Sequence, residues 1–510
     1  MVIETRILER SATDRATMME RASRITSTMA ASLAAIVACS QWNFTVDPTF
    51  QMQISQQAVN SLLLNEDGTV IGSGVMRLQG ELTDRYLMRL QNSGAHDVGF
   101  LNTGAGGGKL TRWQDRMYVG HAQTLRRVLM NGSVDASFGS PNLLPCRYFN
   151  SLQGGDYHVY PDGSVLISGN HQLHDSIRGF VGRHQLMWLT NTGCLDTTRT
   201  HRTGGQCAVY RFKELSNGQF ICSTTCSQFD GQEIDKIFRV NSDGSVDTTF
   251  RTGVYIGDAQ DYLSLNDGRV YTGGNFRRTE APTDTLRLVR FLPNGDLDPG
   301  FTIPSFTAGE GLSTPFGAYV HGITAWHDGT LLITGHFKRV NGEERRGICL
   351  IDSTGQLLPA FSEQGVGPFT FSSLTGAAVL TLTFNEDSTQ VYICGVYNGY
   401  DDGITNYPQQ RFITRLKVEE VPVTVEETAH WPVSVLSIHP NPASGTVTIH
   451  IGAERSGTIV VRDALGRVVD RSIPCSSSVS LDSRSYASGI YFVDHVVDGV
   501  IQGSAKLVVE

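Results

Sequence analysis

Asn266-Asp267-Gly268-Arg269-Val270-Tyr271-Thr272-Gly273-Gly274 decides the fold, together with Leu286-Arg287-Leu288-Val289-Arg290-Phe291-Leu292 and Asn294-Gly295-Asp296-Leu297-Asp298-Pro299-Gly300-Phe301. Asp-Gly and Asn-Gly supply the positive φ of tight hairpin turns. The segments between them are rich in β-branched and aromatic residues, which suit strands. Copies of this strand-and-turn phrase fill most of the chain.

Two landmarks recur in those copies. The first is a small residue that ends a strand: Gly74, Gly120, Gly169, Thr224, Gly274, Gly335 and Gly395, at intervals of 46, 49, 55, 50, 61 and 60 residues. The second is an Asp-x-x-Phe turn opening at Asp47, Asp97, Asp135, Asp196, Asp247 and Asp298. Leu358 stands for Asp in the copy before Phe361, and Arg199 stands for Phe in the copy opened by Asp196. A lone sheet of three or four such strands leaves two apolar faces bare, so neighbours must stack. Antiparallel repeats of about 50 residues stacked radially give a β-propeller. The array starts on a landmark without its strand, Val46-Asp47-Pro48-Thr49-Phe50. It ends on a strand without its landmark, residues 411–418. Joined, they complete one unit. That favours a closed ring of about seven blades over an open array used as a stalk.

Composition agrees with an all-β protein. Gly reaches 54 of 510 residues and charged residues only 18 %, as a turn-rich, strand-built chain requires. A net charge of −9 supplies no basic stripe for phosphates, so nucleic acid is not an expected partner. The nine Cys form no C-x-x-C pair, which argues against a structural zinc site. Cys222 and Cys226 lie four apart on a strand-like run, where packing, or disulfides with Cys194 or Cys207, is expected.

Residues 1–40 read as a signal peptide. Polar, Arg-bearing sequence precedes the apolar Met29–Ala38, a run too short to span a bilayer. Cleavage is expected after Ser40, and Ile36-Val37-Ala38-Cys39 also has the form of a lipobox. Residues 41–418 form the repeat array. An acidic stretch with one Pro, residues 419–433, reads as a linker. Residues 434–510 contain short alternating strands and turns, as in a small Ig-like β-sandwich.

The phrases NGSVDASF (131–138), SDGSVDTTF (242–250), NGDLDPGF (294–301), PDGSVLISG (161–169) and NDGRVYTGGNF (266–276) resemble the delta-60 repeats of bacterial surface proteins. That resemblance covers about residues 42–418 and implies a propeller-like array on an exported protein, with no reaction attached. The C-terminal segment resembles the type A C-terminal sorting domain of the type IX secretion system. It does so at Pro440-Asn441-Pro442, at Asp463 with Gly466 and Arg467, at Gly489 and Tyr491, and at Lys506 near the terminus. His439 stands where an aromatic residue is usual. The resemblance implies handling by the type IX machinery and passage through the periplasm to the medium or the outer-membrane surface. The sorting domain is often removed in that family.

Chemistry is sparse. The repeated Asp residues offer one or two oxygens per turn, fewer than a calcium site needs, and read as turn caps. Gly257-Asp258 and Asp401-Asp402-Gly403 read as ordinary turns. The Gly-rich run from Thr103 to Leu110 mimics a phosphate loop but lacks its first Gly and its Ser/Thr. No catalytic residue, metal ligand or cofactor motif is assigned. His121, Asn170, Asn275 and His336 each follow the strand-ending Gly of their unit. Equivalent positions in a ring converge on one face, which makes these four candidate ligand contacts, with plain polar loop residues as the competing reading. The expected function is an exported binding or scaffold propeller, with a surface glycan or protein as ligand. The alternative is a secreted polysaccharide lyase or hydrolase with acids and His gathered at the ring centre. N-terminal sequencing of the exported protein is expected to start at Gln41 or at a modified Cys39; an intact Met1 start would contradict the signal peptide.

Overall fold

The structure is a computed structural model that describes residues 41–121, 124–139, 149–309, 317–371, 374–421, 436–452, 457–464, 466–472, 477–497 and 500–510. The chain divides into two compact units, Met1–Pro422 and Val423–Glu510. The signal peptide expected over 1–40 lies outside the described residues.

In the first unit, seven antiparallel blade sheets succeed one another, each built on three strands whose middle one pairs with both neighbours; the last of them has five strands in all, and small sheets lie in the connections between strands. Blade 1 holds Ile54–Leu64, Val70–Leu78 and Arg85–Leu90, and blade 2 holds Gly107–Trp113, Arg116–His121 and Thr124–Leu129. Blade 3 holds Phe149–Val159, Val165–Asp175 and Phe180–Leu189, and blade 4 holds Val209–Glu214, Phe220–Thr224 and Ile237–Val240. Blade 5 holds Val254–Ser264, Val270–Arg278 and Ala281–Phe291, and blade 6 holds Tyr319–Ala325, Leu331–His336 and Ile348–Ile351. Blade 7 holds Ala378–Phe384, Gln390–Asp401 and Asn406–Val421.

The apolar cores lie between blades, not within them. Tyr271 and Leu288 of blade 5 pack with Val320 and Ile333 of blade 6. Tyr392, Cys394, Phe412 and Ile413 of blade 7 pack with Val59, Leu62 and Val70 of blade 1. This last seam joins the two ends of the array, so the sheets form a closed ring, a seven-bladed β-propeller.

The N-terminal strand Gln41–Val46 completes the ring as a fourth strand of blade 7. It runs antiparallel to the last propeller strand, from Gln41 opposite Val421 to Val46 opposite Leu416. Residues 419–421, read from sequence as the start of the linker, belong to this strand; pairing with the N-terminal strand extends it past the apolar run. Residues 422–433 of the expected linker lie outside the described residues.

Each Asp-x-x-Phe turn is fastened by an Arg eight residues upstream on its blade's third strand. Arg127 Nε lies 2.6 Å from Asp135 Oδ2, Arg239 Nε 2.8 Å from Asp247 Oδ2 and Arg290 Nε 2.6 Å from Asp298 Oδ2. The other Asp oxygen caps the turn, as at Ser137 N and Thr249 N. The guanidinium sits over the Phe ring, 4.9 Å for Arg127 on Phe138 and 5.3 Å for Arg290 on Phe301. It also reaches forward, Arg127 Nη1 donating to Asn191 O and Arg290 Nη1 to Ser353 O in the next blade. At the ring's junction the same lock is assembled from opposite ends of the array. Arg415 Nε lies 2.9 Å from Asp47 Oδ2, and its guanidinium is 5.0 Å from the Phe50 ring.

Two units depart from the pattern, and each departure compensates itself. In blade 3, Trp188 takes the Arg position and Arg199 the Phe position, so a guanidinium still lies 5.6 Å from an aromatic ring. In blade 6, Leu350, Leu358 and Phe361 join one apolar core. The charge and its partner disappear together, which avoids a buried unpaired ion.

The second unit has two sheets. One holds Leu436–His439, Thr446–Ile451 and Ser478–Asp482; the other holds Thr458–Asp463, Val468–Ser472, Gly489–Val497 and Val500–Val509. Val447, Ile449 and Leu481 from the first pack against Ile459, Val493 and Leu507 from the second.

The lock sets a stability prediction. Arg415→Met leaves the buried Asp47 carboxylate without its cation and is expected to cost about 3–5 kcal/mol, with Asp47→Asn in the same chain recovering most of it in denaturant titrations. Burial pushes the Asp47 carboxyl up, but the Thr49 hydroxyl and N–H and then Arg415 outweigh it and hold it below 3.8. Its stabilisation is therefore complete above that unfolded value and is lost as pH falls through the lower folded value. Acid unfolding of Arg415→Met at the same pH as the parent would contradict the lock.

Candidate functional site

The seven inner strands surround a central channel of about 1230 Å³, lined by residues from every blade. A β-bulge recurs at the same height in each inner strand: between Val59 and Ser61, Gly107 and Leu110, Gly154 and Tyr157, Val209 and Arg211, Ala259 and Asp261, Val320 and Gly322, and Val379 and Thr381. A bulge re-aims one side chain. Asn60, Lys109, Gln260, His321 and Leu380 are delivered to the channel wall in this way.

The bulge also explains the strand-ending glycines. A Cβ at Gly74, Gly274, Gly335 or Gly395 would overlap the carbonyl oxygen of Ala58, Asp258, Tyr319 or Ala378 on the inner strand. Thr224 is accommodated because its Oγ1 donates to the corresponding carbonyl, Ala208 O, at 2.8 Å. The first sequence landmark is thus a steric requirement of the channel wall.

Two lysine–aspartate pairs in the channel cross between blades. Lys109 Nζ lies 3.0 Å from Asp156 Oδ1, and Lys213 Nζ 2.9 Å from Asp261 Oδ1. The second Asp261 oxygen accepts from Ile323 N at 2.9 Å. Asp156 and Asp261 also accept from the N–H of the following residue.

Beside the channel, between blades 5, 6 and 7, lies a second cavity of about 490 Å³. The two cavities share Gln260, His321 and Leu380 as wall. A polar relay crosses the boundary. Arg211 Nε donates to Gln260 Oε1 at 3.4 Å, Gln260 Nε2 donates to Asp258 Oδ2, and Tyr319 OH donates to Asp258 Oδ1. The Tyr319 ring stacks on His321, with centroids 5.1 Å apart. Burial, and then the Asp258 charge, push the Tyr319 phenol up. Burial, aided by His336 and Arg211, lowers His321 to about 4, so its imidazole is neutral at pH 7. The site can therefore offer a neutral donor–acceptor ring and a protonated phenol beside apolar wall.

Asp258, read from sequence as part of an ordinary turn, is a strand residue. Gly257 has a positive φ, +90°, yet pairs with Phe276 as Asp258 pairs with Asn275, within the inner strand of blade 5. Asp402 does cap a turn through Ile404 N and Thr405 N, and its other oxygen accepts from Val46 N of the closing strand. Cys226 is disulfide-bonded to Cys207, whereas Cys222 is a free thiol buried in the core.

The four residues singled out from sequence fall at equivalent places, just after the strand-ending Gly of blades 2, 3, 5 and 6. His121 lines the channel and His336 the side cavity. His336 Nδ1 donates to Ala377 O at 2.9 Å, and burial lowers its pKa. Asn275 Nδ2 reaches Ala318 O of the next blade at 3.5 Å, and Asn170 is buried. These two line neither cavity. Asp258, Gln260, Tyr319 and His321 were missed. Their one signal is polar residues at the bulge, as Gln260 and His321 are, or two places before it, as Asp258 and Tyr319 are, in strands otherwise expected to be apolar.

In the C-terminal unit the motif residues build the fold. Asn441 Nδ2 donates to Lys506 O at 2.6 Å and its Oδ1 accepts from Val508 N at 2.9 Å, so the Pro440-Asn441-Pro442 segment is tied to the last strand. Asp463 caps its turn through Arg467 N and pairs with Arg467 Nε at 2.7 Å, around Gly466 at φ +79°. Tyr491 OH donates to Ala487 O.

Residues 437–510 match the family described as a secretion system C-terminal sorting domain. Residues 225–250 and 265–301 match a domain of unknown function described as a β-propeller. The chain is thus a β-propeller protein carrying a type IX secretion sorting domain. That domain implies handling by the type IX system and a secreted or cell-surface location. Among the described residues no helix is long and apolar enough to cross a membrane.

No curated protein matches the chain significantly. Solved structures similar to it include the extracellular domain of a putative hybrid two component system of B. thetaiotaomicron, at 10 % identity and TM-score 0.40 over 92 % of this chain and 57 % of that one. PorZ of Porphyromonas gingivalis, described as an essential bacterial surface component of the type-IX secretion system, is 13 % identical, with TM-score 0.31 over 89 % and 66 %. The RRP9 WD40 repeats are 8 % identical, with TM-score 0.39 over 74 % and 100 %. The chain spans less than two thirds of the B. thetaiotaomicron and PorZ chains.

Proposed function

We propose that the protein is a surface-delivered binding module whose ligand site is the channel and its side cavity. One observation carries this reading: the channel is roomy and carries charged groups among apolar ones, yet its acids are already committed. Asp156 and Asp261 are each held by a lysine from the preceding blade and by backbone N–H groups. Glycoside hydrolysis uses two carboxylates, one to donate a proton and one to attack or activate water. Carboxylates tied into cross-blade ion pairs serve that task poorly and serve as fixed hydrogen-bonding groups well. The side cavity adds the apolar wall and few placed polar groups typical of small-ligand sites.

The test is binding of the full mature chain to a glycan panel and to isolated envelope material, compared with Thr381→Trp, which fills the channel from a wall position. Saturable binding, weakened about tenfold or more by the substitution, is expected. Release of shortened or unsaturated polysaccharide, or binding indifferent to Thr381→Trp, would overturn the reading in favour of an enzyme or of another surface.

A further inference from the structure

The side cavity is specific enough to name a ligand class, an argument that rests on the channel being the ligand site. One wall is hydrocarbon, from Ala377, Ala378, Leu380 and Val396. The rest of the lining is polar. Asp258 has one carboxylate oxygen bonded by the Tyr319 hydroxyl and the other by the Gln260 amide. Both donors are neutral, so the carboxylate keeps its charge and a ligand anion there meets it. His321 makes no hydrogen bond within the described residues, although it is half-buried and lines both cavities. As a neutral imidazole it has one donor and one acceptor nitrogen to offer.

An apolar wall with hydrogen-bonding groups beside it suits a ring with a hydrocarbon face and a hydroxyl rim. The volume, about 490 Å³, falls among small-ligand sites. The neighbouring space narrows the choice. Past the shared residues Gln260, His321 and Leu380, the channel is lined by Lys109, Asp156, Arg211 and Asp261. A ligand reaching from one space into the other must be apolar-faced at its tip and hydroxyl-rich behind it. We propose that the cavity beside His321 holds the uncharged terminal pyranose of a glycan, whose remaining residues lie in the polar channel.

The test is calorimetric titration of the full mature chain with neutral trisaccharides ending in glucose, galactose or mannose. Their counterparts ending in glucuronic acid and the free phenol 4-methylphenol serve as comparisons. At least one neutral trisaccharide is expected to bind, with its uronate-ended counterpart about tenfold weaker or more, a difference of about 1.4 kcal/mol. Ala377→Phe, which fills the cavity, should abolish binding. His321→Ala should weaken it about tenfold, and His321→Gln, which keeps a donor and an acceptor, should recover part of the loss. Binding should hold steady from neutral pH downward and fail near pH 4, where His321 gains its charge and loses its acceptor.

The proposal is overturned if no neutral trisaccharide binds, if the uronate-ended ligand binds better, or if 4-methylphenol binds as tightly as any trisaccharide. Binding unchanged in folded His321→Ala also overturns it. A ligand that is lost in Thr381→Trp yet ignores both cavity substitutions contradicts this assignment alone and leaves channel binding standing.

Discussion

A guanidinium buried between a carboxylate and an aromatic ring holds this propeller together. In blades 1, 2, 4, 5 and 7 the third-strand Arg binds the Asp that opens the following turn and lies over the Phe that closes it. A buried ion is tolerated only when its hydrogen-bonding capacity is satisfied. Here the remaining donors are spent on carbonyls of the next blade, as with Arg89 on Met130 O and Arg415 on Asn92 O. The group that fixes one blade's outer turn thereby fixes its neighbour. Aromatic and aliphatic cores fill the seams, but they are non-directional; the lock sets how adjacent sheets are placed.

The inner end of each blade obeys a different constraint. A bulged strand turns a carbonyl toward the middle strand, which must then carry Gly or a Thr able to donate to that carbonyl. The same bulge turns a side chain to the channel. Structure and site are therefore coupled through backbone geometry, while the identity of the presented residue is free to vary from blade to blade. That freedom is what makes the quarter around blades 5, 6 and 7 unlike the rest: Gln260, His321 and Leu380 stand where Asn60 and Lys109 stand elsewhere.

Much of the fold was legible because it rests on local chemistry. Asp-Gly turns, Gly strand ends and Asp-x-x-Phe caps are short-range requirements, so they recur at readable spacing. Ring closure was legible from the split unit, Asp47–Phe50 at one end and residues 411–418 at the other. The Arg eight residues before Asp97, Asp135, Asp247 and Asp298 was equally present in the sequence, yet its meaning depends on a neighbouring blade. The site was less legible for the same reason. Asp258 and Tyr319 are 61 residues apart and meet only across a seam, and the bulge that exposes His321 leaves no motif of its own. His121 and His336 were reachable because they follow the conspicuous Gly. The sorting motif was legible because Asp463 and Gly466 build a local turn, while Asn441 acts at long range, on the last strand.

The account depends most on the ring being closed by the N-terminal strand. The direct measurement is amide hydrogen exchange, read by mass spectrometry, on a chain beginning at Gln41 and on one beginning at Gln51. Slow exchange across residues 411–421 and in blade 1 of the longer chain, turning fast in the shorter one, is the predicted result. Equal protection of those segments in both chains would show that the ring does not need its first strand, and would contradict the closure described here.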